Sequence, residues 1–74
     1  MAKKQATEGV YRVTEVIGTS ATSWEDAASR AVAAASKTLR DLRIAEISKL
    51  DMKVEDGKVV AYRARILLSF KYEG

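Results

Sequence analysis

The last third of the chain alternates between two kinds of side chain over residues 59–72. One set of positions is almost wholly apolar or aromatic: Val60, Tyr62, Ala64, Ile66, Leu68, Phe70 and Tyr72. The other set mixes charged, polar and apolar side chains: Val59, Ala61, Arg63, Arg65, Leu67, Ser69 and Lys71. A period of two sustained over this length predicts a long β-strand with one face in the core.

The first half of the chain predicts a strand and then a helix. Residues 10–17 are rich in β-branched and aromatic side chains, which favours a strand. Residues 18–23 have the glycine and small hydroxyl side chains of a loop. Residues 23–41 place apolar side chains at helical spacing around a run of alanines, which allows close packing on a sheet. Thr22 and Glu25 fit a capping box at the helix start.

A second strand and a hairpin lie between the helix and the last strand. Residues 43–55 alternate imperfectly, because the apolar phase slips near Ser48 and Lys49, and this predicts a bulge or a bend. Asp56 and Gly57 between two extended runs predict a tight hairpin turn. The order is therefore β-α-β-β, with strand one parallel or antiparallel to one strand of the hairpin and the helix on one face.

The strand predicted at residues 59–72 is longer than the body it belongs to. It runs about 46 Å at about 3.3 Å per residue, whereas a compact chain of this size is about 30 Å across. The strand must therefore curve strongly or extend onto another subunit. Its second face sets Arg63 and Arg65 among apolar side chains, and we expect other subunits to cover it.

Composition narrows the classes of function. The chain has 74 residues and no cysteine, histidine or proline. Without cysteine there are no disulfides or thiolate metal sites, and without histidine the commonest general base is missing. No nucleophile is paired with a base, so we expect no enzyme activity. Oligomerisation is the remaining way to stabilise so small a domain.

Charge and hydropathy add expectations about partners and location. The formal net charge is +3 with scattered basic residues, which does not require a nucleic-acid partner. No apolar run approaches the roughly twenty residues that cross a bilayer, and no signal peptide is visible. We expect a soluble cytoplasmic protein with no membrane partner. Residues 1–9 are expected to be a flexible tail before a single domain at residues 10–73.

Few side chains predict chemistry by themselves. The loop at residues 18–23 precedes a helix and could hold a phosphate. It lacks a glycine-rich lysine motif, so a capped helix start is favoured. The spacing of the candidate carboxylates gives no reason for them to converge, and a solvated surface is expected; they are Asp26, Glu46, Asp51 and Glu73.

The order of these segments resembles the dodecin family. The resemblance rests on Gly18-Thr19-Ser20 before an alanine-rich helix, on Thr38-Leu39-Arg40 entering a long strand, and on Leu67-Leu68-Ser69-Phe70 after the hairpin turn. It covers about residues 10–73. It implies an α+β fold: a β-α-β-β subunit whose three-stranded antiparallel sheet has long curved strands that partly wrap one helix. It also implies a hollow homododecameric cage that binds flavin, as FMN or riboflavin, at subunit interfaces for storage or buffering.

Three positions depart from the flavin-binding pattern of the family. Flavin-binding members have a tryptophan at the start of strand two that stacks on the isoalloxazine ring, and Ile44 stands at that position. They have a glutamine after the tyrosine of strand three, whereas Tyr62 is followed by Arg63. Their Arg-Gly pair reads Asp51-Met52. Without the aromatic stack, about 1–3 kcal/mol per ring is lost, so flavin binding is predicted to be weak or absent.

The sequence is more similar to a divergent branch described as calcium dodecins. The similarity lies in the segments Thr22-Ser23-Trp24-Glu25 and Leu50-Asp51-Met52. It implies a calcium site, for which carboxylates such as Glu46 and Asp51 are suitable, without naming the ligands. The candidate ligand-binding positions at the subunit interface are Ile44, Asp51, Arg63 and Arg65.

Three functions therefore remain open from the sequence. The first is a cage that binds or stores a small ligand, with flavin affinity weak or lost. The second is a cage of the same architecture that binds a metal or an anion. The third is a small sheet that binds nucleic acid through Arg12, Arg63 and Arg65. The third is disfavoured because Tyr62 and Phe70 lie on the opposite face from these arginines, so stacking and phosphate contacts would not share a surface.

Overall fold

The computed structural model describes residues 9–71 and shows one helix and three strands in the order β-α-β-β. The elements are β1 (Tyr11–Ser20), α1 (Trp24–Ser36), β2 (Leu42–Glu55) and β3 (Lys58–Lys71). β3 lies in the middle of the sheet and pairs antiparallel with both β1 and β2. The predicted α+β fold is confirmed, and β1 is antiparallel to β3. The tail predicted at residues 1–9 lies outside the described residues except for Gly9, as do Tyr72 and Glu73.

The core lies between α1 and the centre of the sheet. Gly18 of β1 sits directly under the helix, where an added Cβ would lie 2.1 Å from the carbonyl oxygen of Ala27 and 2.9 Å from the Cβ of Ala31. The helix therefore approaches the sheet as closely as these small residues allow, as the alanine run predicted. The buried apolar residues are Ala27, Ala31, Ala64, Ile66 and Leu68.

The start of α1 corrects two predictions. The N-cap is Ser23, whose hydroxyl accepts from the backbone N–H of Asp26 at 3.0 Å, so the capping box of Thr22 and Glu25 is wrong. β1 continues through Gly18 to Ser20, where a loop was predicted. Ser20 then holds the short connection, because its hydroxyl accepts from the N–H of Thr22 at 2.9 Å and donates to the Asp26 carboxylate at 2.6 Å.

α1 also ends five residues earlier than predicted, at Ser36. The Ser36 hydroxyl donates to the carbonyl of Val32 at 2.8 Å, and such side-chain bonds compete with the helical ladder. The N–H of Leu39 still reaches the carbonyl of Ala35 at 2.8 Å in a final turn. Asp41 then takes a positive φ of 55°, which a continuing right-handed helix does not allow. The chain is thereby turned directly into β2.

The hairpin and the irregularity of β2 were both predicted and are both confirmed. Asp56 and Gly57 have φ values of 52° and 75°, and two consecutive positive φ angles are the signature of a type I′ turn. The pairing of β2 with β3 shifts register between Ile47 and Lys49, where the sequence phase slips. The extra residue is Ser48, so the slip is a β-bulge.

The molecule is long because the hairpin extends beyond the helix. Its principal extents are 56 × 20 × 18 Å and its radius of gyration is 15.1 Å, against about 11 Å for a compact chain of this length. α1 is about 20 Å long and packs mainly on β1 and β3. β2 is exposed along its whole length except at Leu42. No helix within residues 9–71 is long and apolar enough to span a bilayer.

Candidate functional site

The sheet face turned away from α1, here named the outer face, carries all four predicted ligand-binding residues. Arg63 and Arg65 flank the buried Ala64 along β3, so their side chains leave the sheet on the side opposite the helix. Asp51 is paired with Arg63 across the β2–β3 ladder, and residues directly opposite share a face. By the same rule Ile44, which pairs with Ser69, lies on this face too. The fold therefore brings the four positions to one surface.

Arg63 and Asp51 form a closed, two-pronged ion pair on the outer face. Nε of Arg63 donates to Oδ1 of Asp51 at 2.7 Å, and an Nη donates to Oδ2 at 2.8 Å. These hydrogen bonds hold the pKa of the Asp51 carboxyl below its usual value and raise the pKa of the Arg63 guanidinium. A fork that meets both carboxylate oxygens leaves neither group open on its matching side. The ion pair is therefore neutral overall, and neither side chain offers an uncompensated charge to a ligand.

Trp24 supports this ion pair from the helix side of the sheet. Its indole N–H donates to the main-chain carbonyl of Asp51 at 3.0 Å. Its ring packs against Tyr62 edge to face, with ring centroids 5.1 Å apart. Trp24 thus fixes the main chain of β2 at the residue that binds Arg63. The sequence pattern gave no sign of this hydrogen bond from Trp24 to β2.

Arg65 is held less firmly than Arg63. Its Nη1 lies 3.5 Å from Oε2 of Glu15 on β1, at the outer limit of a hydrogen bond. On its other side, across the β2–β3 ladder, the directly opposite residue is Lys49. Sequence reasoning did not name Lys49 as a site residue, although the phase slip beside it was the available signal.

The remaining part of the outer face is apolar where β1, β3 and β2 run past the helix C-terminus. Ile44 is 55% exposed and stands in a row with Ser69 and Val13, which is also exposed. Leu67 lies in the preceding row between Glu15 and Glu46. Half-exposed apolar side chains beside charged ones make a surface suited to covering by another protein surface or an amphiphilic ligand.

The outer face lacks the side chains of the flavin site that the sequence resemblance implied. Ring stacking needs an aromatic side chain at position 44, and Ile44 offers only an aliphatic one. The ring-edge hydrogen bonds need an amide side chain at position 63, whereas Arg63 is a cation that has no acceptor and that directs its Nε and one Nη to Asp51. The aromatic side chains of Trp24 and Tyr62 lie on the helix side, so neither replaces the missing stack.

A calcium site is likewise not formed by residues 9–71 of one chain. Calcium takes about six to eight oxygen ligands. Residues 9–71 contain no group of three or more acidic side chains placed to hold a metal ion. Asp51 is bound by Arg63, and Glu15 faces Arg65. Glu46 has no basic side chain within 4.0 Å among the described residues, so it is the outer-face carboxylate most open to a cation.

A groove of about 410 Å³ lies on the helix side of the sheet, between α1 and β2. It exists because α1 leaves the apolar side chains of β2 uncovered. Its lining is apolar apart from one hydroxyl: Ala28, Ser29, Val32, Ala33, Ala45, Ile47 and Ile66. The chain thus has uncovered apolar surface on both sides of its sheet.

Comparison with known proteins finds one family. The sequence model of the dodecin family matches residues 10–73. Calcium dodecin from Mycobacterium tuberculosis (strain ATCC 25618 / H37Rv) is 44% identical over 62 residues, which are 84% of this chain and 87% of that protein.

Solved structures give the same match in three dimensions. Dodecin from Streptomyces coelicolor superposes with a TM-score of 0.82 at 40% identity, covering 88% of this chain and 93% of that one. The M. tuberculosis calcium dodecin, described as calcium chelating with a novel calcium-binding site, superposes with a TM-score of 0.77 at 44% identity and the same coverage of 88% and 93%.

Proposed function

The chain belongs to the dodecin family, and we propose on that premise that it is a non-catalytic subunit of a hollow homododecameric cage. The cage binds or stores a small ligand between subunits, on the outer faces of their sheets. The single domain at residues 10–73 forms the cage wall. The ligand is not a tightly bound flavin.

The observation that carries this proposal is the uncovered apolar surface of β2. A small monomer that exposed such a surface would lose most of the hydrophobic stabilisation available to it. Contacts with further copies of the chain supply the missing cover, and a closed symmetric assembly limits their number. The half-exposed apolar residues of β2 are Ile44, Ile47, Leu50, Met52 and Val54.

The Asp51–Arg63 ion pair supports weak or absent flavin binding. Arg63 has no acceptor to offer the N–H groups of a flavin ring edge, and turning it toward the ring would break its two bonds to Asp51. Asp51 would then be left without its partner in a desolvated site, which costs affinity. The missing aromatic stack at Ile44 adds to the loss.

Mass and colour in solution test the proposal together. Multi-angle light scattering on the purified protein should give about twelve times the 8.1 kDa of one chain. The protein should be colourless, and riboflavin or FMN added to it should keep its fluorescence at low micromolar protein. A monomeric mass would refute the cage, and yellow protein with fully quenched flavin would refute the ligand assignment.

A gain-of-binding variant tests the role of the two substituted positions directly. The double variant Ile44→Trp, Arg63→Gln restores the aromatic stack and the amide, so it should quench riboflavin fluorescence. The matched control is Ile47→Trp, Arg63→Gln, because Ile47 is equally exposed on the same strand but faces the helix side. Quenching by both variants, or by neither, would contradict the assignment of the pocket to position 44.

Calcium binding by the same cage is the second candidate function, and the 44% identical calcium dodecin favours it. Since one chain has no cluster of acidic side chains within residues 9–71, the site would need Glu46 from several copies around a symmetry axis. Calcium should then raise the melting temperature of the parent protein more than magnesium does, and not that of Glu46→Gln. An equal shift in Glu46→Gln, or no shift in the parent, would remove this candidate.

A further inference from the structure

We propose that Lys49 and Arg65 together form an oxyanion-binding subsite on the outer face, which takes phosphate as a free ion or as part of a larger molecule. The inference rests on the proposed ligand-binding role of this face and adds the chemical class of the ligand. It depends on the β2 bulge, on the charges around it and on the apolar side chains beside it.

The bulge places the two cations side by side. Register shifts between Ile47 and Lys49, so Ser48 has no partner across the ladder and Lys49 stands directly opposite Arg65. The Ser48 hydroxyl donates to the main-chain carbonyl of Arg65 at 3.2 Å, which pins the bulge to the residue it serves. Bulges of this kind re-aim side chains and recur beside functional sites. Directly opposite residues have Cβ atoms about 5 Å apart, a separation that one phosphate can bridge.

Within residues 9–71, the row of Lys49 and Arg65 has two cations and one ion-paired carboxylate, that of Glu15. Like charges directly opposite each other on a sheet are destabilising. The carboxylates of Glu46 and Asp51 lie in neighbouring rows of β2, and neither comes within 4.0 Å of the Lys49 ammonium. Arg65 is ion-paired with Glu15 at 3.5 Å, and the Asp51 carboxylate of the next row also attracts it from farther away. The adjacent row differs sharply, because Arg63 has its matched carboxylate at 2.7 and 2.8 Å. An oxyanion between Lys49 and Arg65 would compensate their positive charge, as the Asp51 carboxylate compensates that of Arg63 in the adjacent row.

The neighbours of the two cations favour a ligand with an apolar part. Ile17, on β1, is directly opposite Arg65 on its other side and is 45% exposed. Leu67 follows Arg65 on the same face of β3. An anionic group held by Lys49 and Arg65 can therefore be attached to a body that lies over Ile17 and Leu67. The same subsite also accepts free phosphate, since the two cations supply the charge and the hydrogen-bond donors.

Isothermal titration calorimetry with inorganic phosphate, FMN and riboflavin tests the proposal on the assembled protein at low salt. Phosphate should bind, more weakly as salt is raised. Lys49→Gln should weaken phosphate binding by about tenfold or more, as expected for loss of a charge-assisted hydrogen bond. Lys53→Gln is the matched control, because Lys53 lies on the same strand and face but is paired with Glu55 at 3.5 Å. It should bind phosphate like the parent.

The three ligands separate the two sources of the anion. FMN binding that exceeds riboflavin binding, and that phosphate competes away, assigns the subsite to a phosphate carried by a larger molecule. Phosphate binding without FMN binding assigns it to the free ion. No phosphate binding, or equal losses in Lys49→Gln and Lys53→Gln, would overturn the subsite.

Light scattering on every sample separates this failure from failure of the cage. A twelve-subunit protein without phosphate binding refutes the subsite alone, whereas a monomeric parent refutes the cage. Should Lys49→Gln not assemble, Lys49→Arg keeps the charge and must retain phosphate binding. In addition, the amide resonances of Lys49 and Arg65 in the parent must move on phosphate addition, and unmoved resonances would refute the subsite.

Discussion

Replacing Gly18 by alanine would put a methyl group where the helix lies. The new Cβ would be 2.1 Å from the carbonyl oxygen of Ala27 and 2.9 Å from the Cβ of Ala31. Non-bonded carbon and oxygen atoms approach to about 3.3 Å, so the helix must move away from β1 by about 1 Å. Because Ala27 and Ala64 are fully buried in the same layer, this shift opens the packing of the whole core.

The expected loss of stability depends on which atom the added methyl group of Gly18→Ala contacts. Overpacking a core costs about 1–3 kcal/mol. The Ala27 carbonyl is main chain and hydrogen-bonded within α1, so it cannot rotate aside, and we expect the upper end of that range. A loss of about 3 kcal/mol would lower the melting temperature of a domain this small by about 12–24 °C. It is also a large share of the roughly 4–11 kcal/mol that a chain of this length has in total.

The comparison is made by urea unfolding followed by circular dichroism at matched protein concentration, because assembly shifts apparent stability. Thr19→Ala is the control: it removes side-chain atoms one residue away on the exposed outer face and should change stability by at most about 0.5 kcal/mol. If Gly18→Ala unfolds as the parent does, then helix and strand are not in the close contact that the core depends on.

Three further substitutions test single contacts. Gly57→Val forces a β-branched residue to a φ of 75°, where an added Cβ meets nothing within 4 Å, so backbone strain alone should destabilise the variant by about 1–2 kcal/mol. An unchanged melting temperature would argue against the type I′ turn. Trp24→Phe keeps a ring against Tyr62 but loses the hydrogen bond to Asp51, and urea unfolding should show a loss of about 0.5–1.5 kcal/mol, whereas no loss would mean the bond contributes nothing. Arg63→Gln should raise the pKa of Asp51 toward its ordinary value, read by carboxyl carbon NMR. A carboxyl whose pKa is lowered by folding stabilises the folded state above its unfolded-state pKa of about 3.9, and this stabilisation is lost as the pH falls through the folded-state pKa. The variant should therefore lose less stability in acid than the parent. Identical acid profiles would contradict the ion pair.

The sequence was sufficient for the fold because its patterns are strong and local. The period of two in β3, the alanine run of α1 and the Asp56-Gly57 turn each have one physical reading, and all three were confirmed. The helix boundaries were less predictable, because several small hydroxyl residues before the helix can each cap it, and the sequence does not show that Ser23 is the one that does. The early stop at Ser36 likewise depends on side-chain hydrogen bonds that spacing does not show.

The site was only partly predictable for a related reason. The alternation of side chains along a strand places Arg63 and Arg65 on one face, but the residues that lie opposite them on β2 depend on the register between the two strands. The bulge at Ser48 decides that Lys49 faces Arg65, and a shift of one residue would have put Ser48 there instead. The partner of Arg63 was therefore not predicted from the sequence, although Asp51 had been named as a candidate by resemblance.

The three register shifts in the pairing of β2 with β3 have a consequence for how another strand could add to the edge of this sheet. They fall between Leu42 and Ile44, between Ile47 and Lys49, and between Lys53 and Val54. β2 lies at the border of the sheet, where unpaired N–H and C=O groups on a long, flat, apolar strand would template open-ended fibre growth. The extra residue lies on β2 at the first two shifts (Arg43 and Ser48) and on β3 at the third (Val60), so β2 itself is bulged at two places and offers shorter straight stretches to an incoming strand. These bulges therefore disfavour strand-by-strand growth from the β2 edge, and this would leave any association of copies to side-chain surfaces.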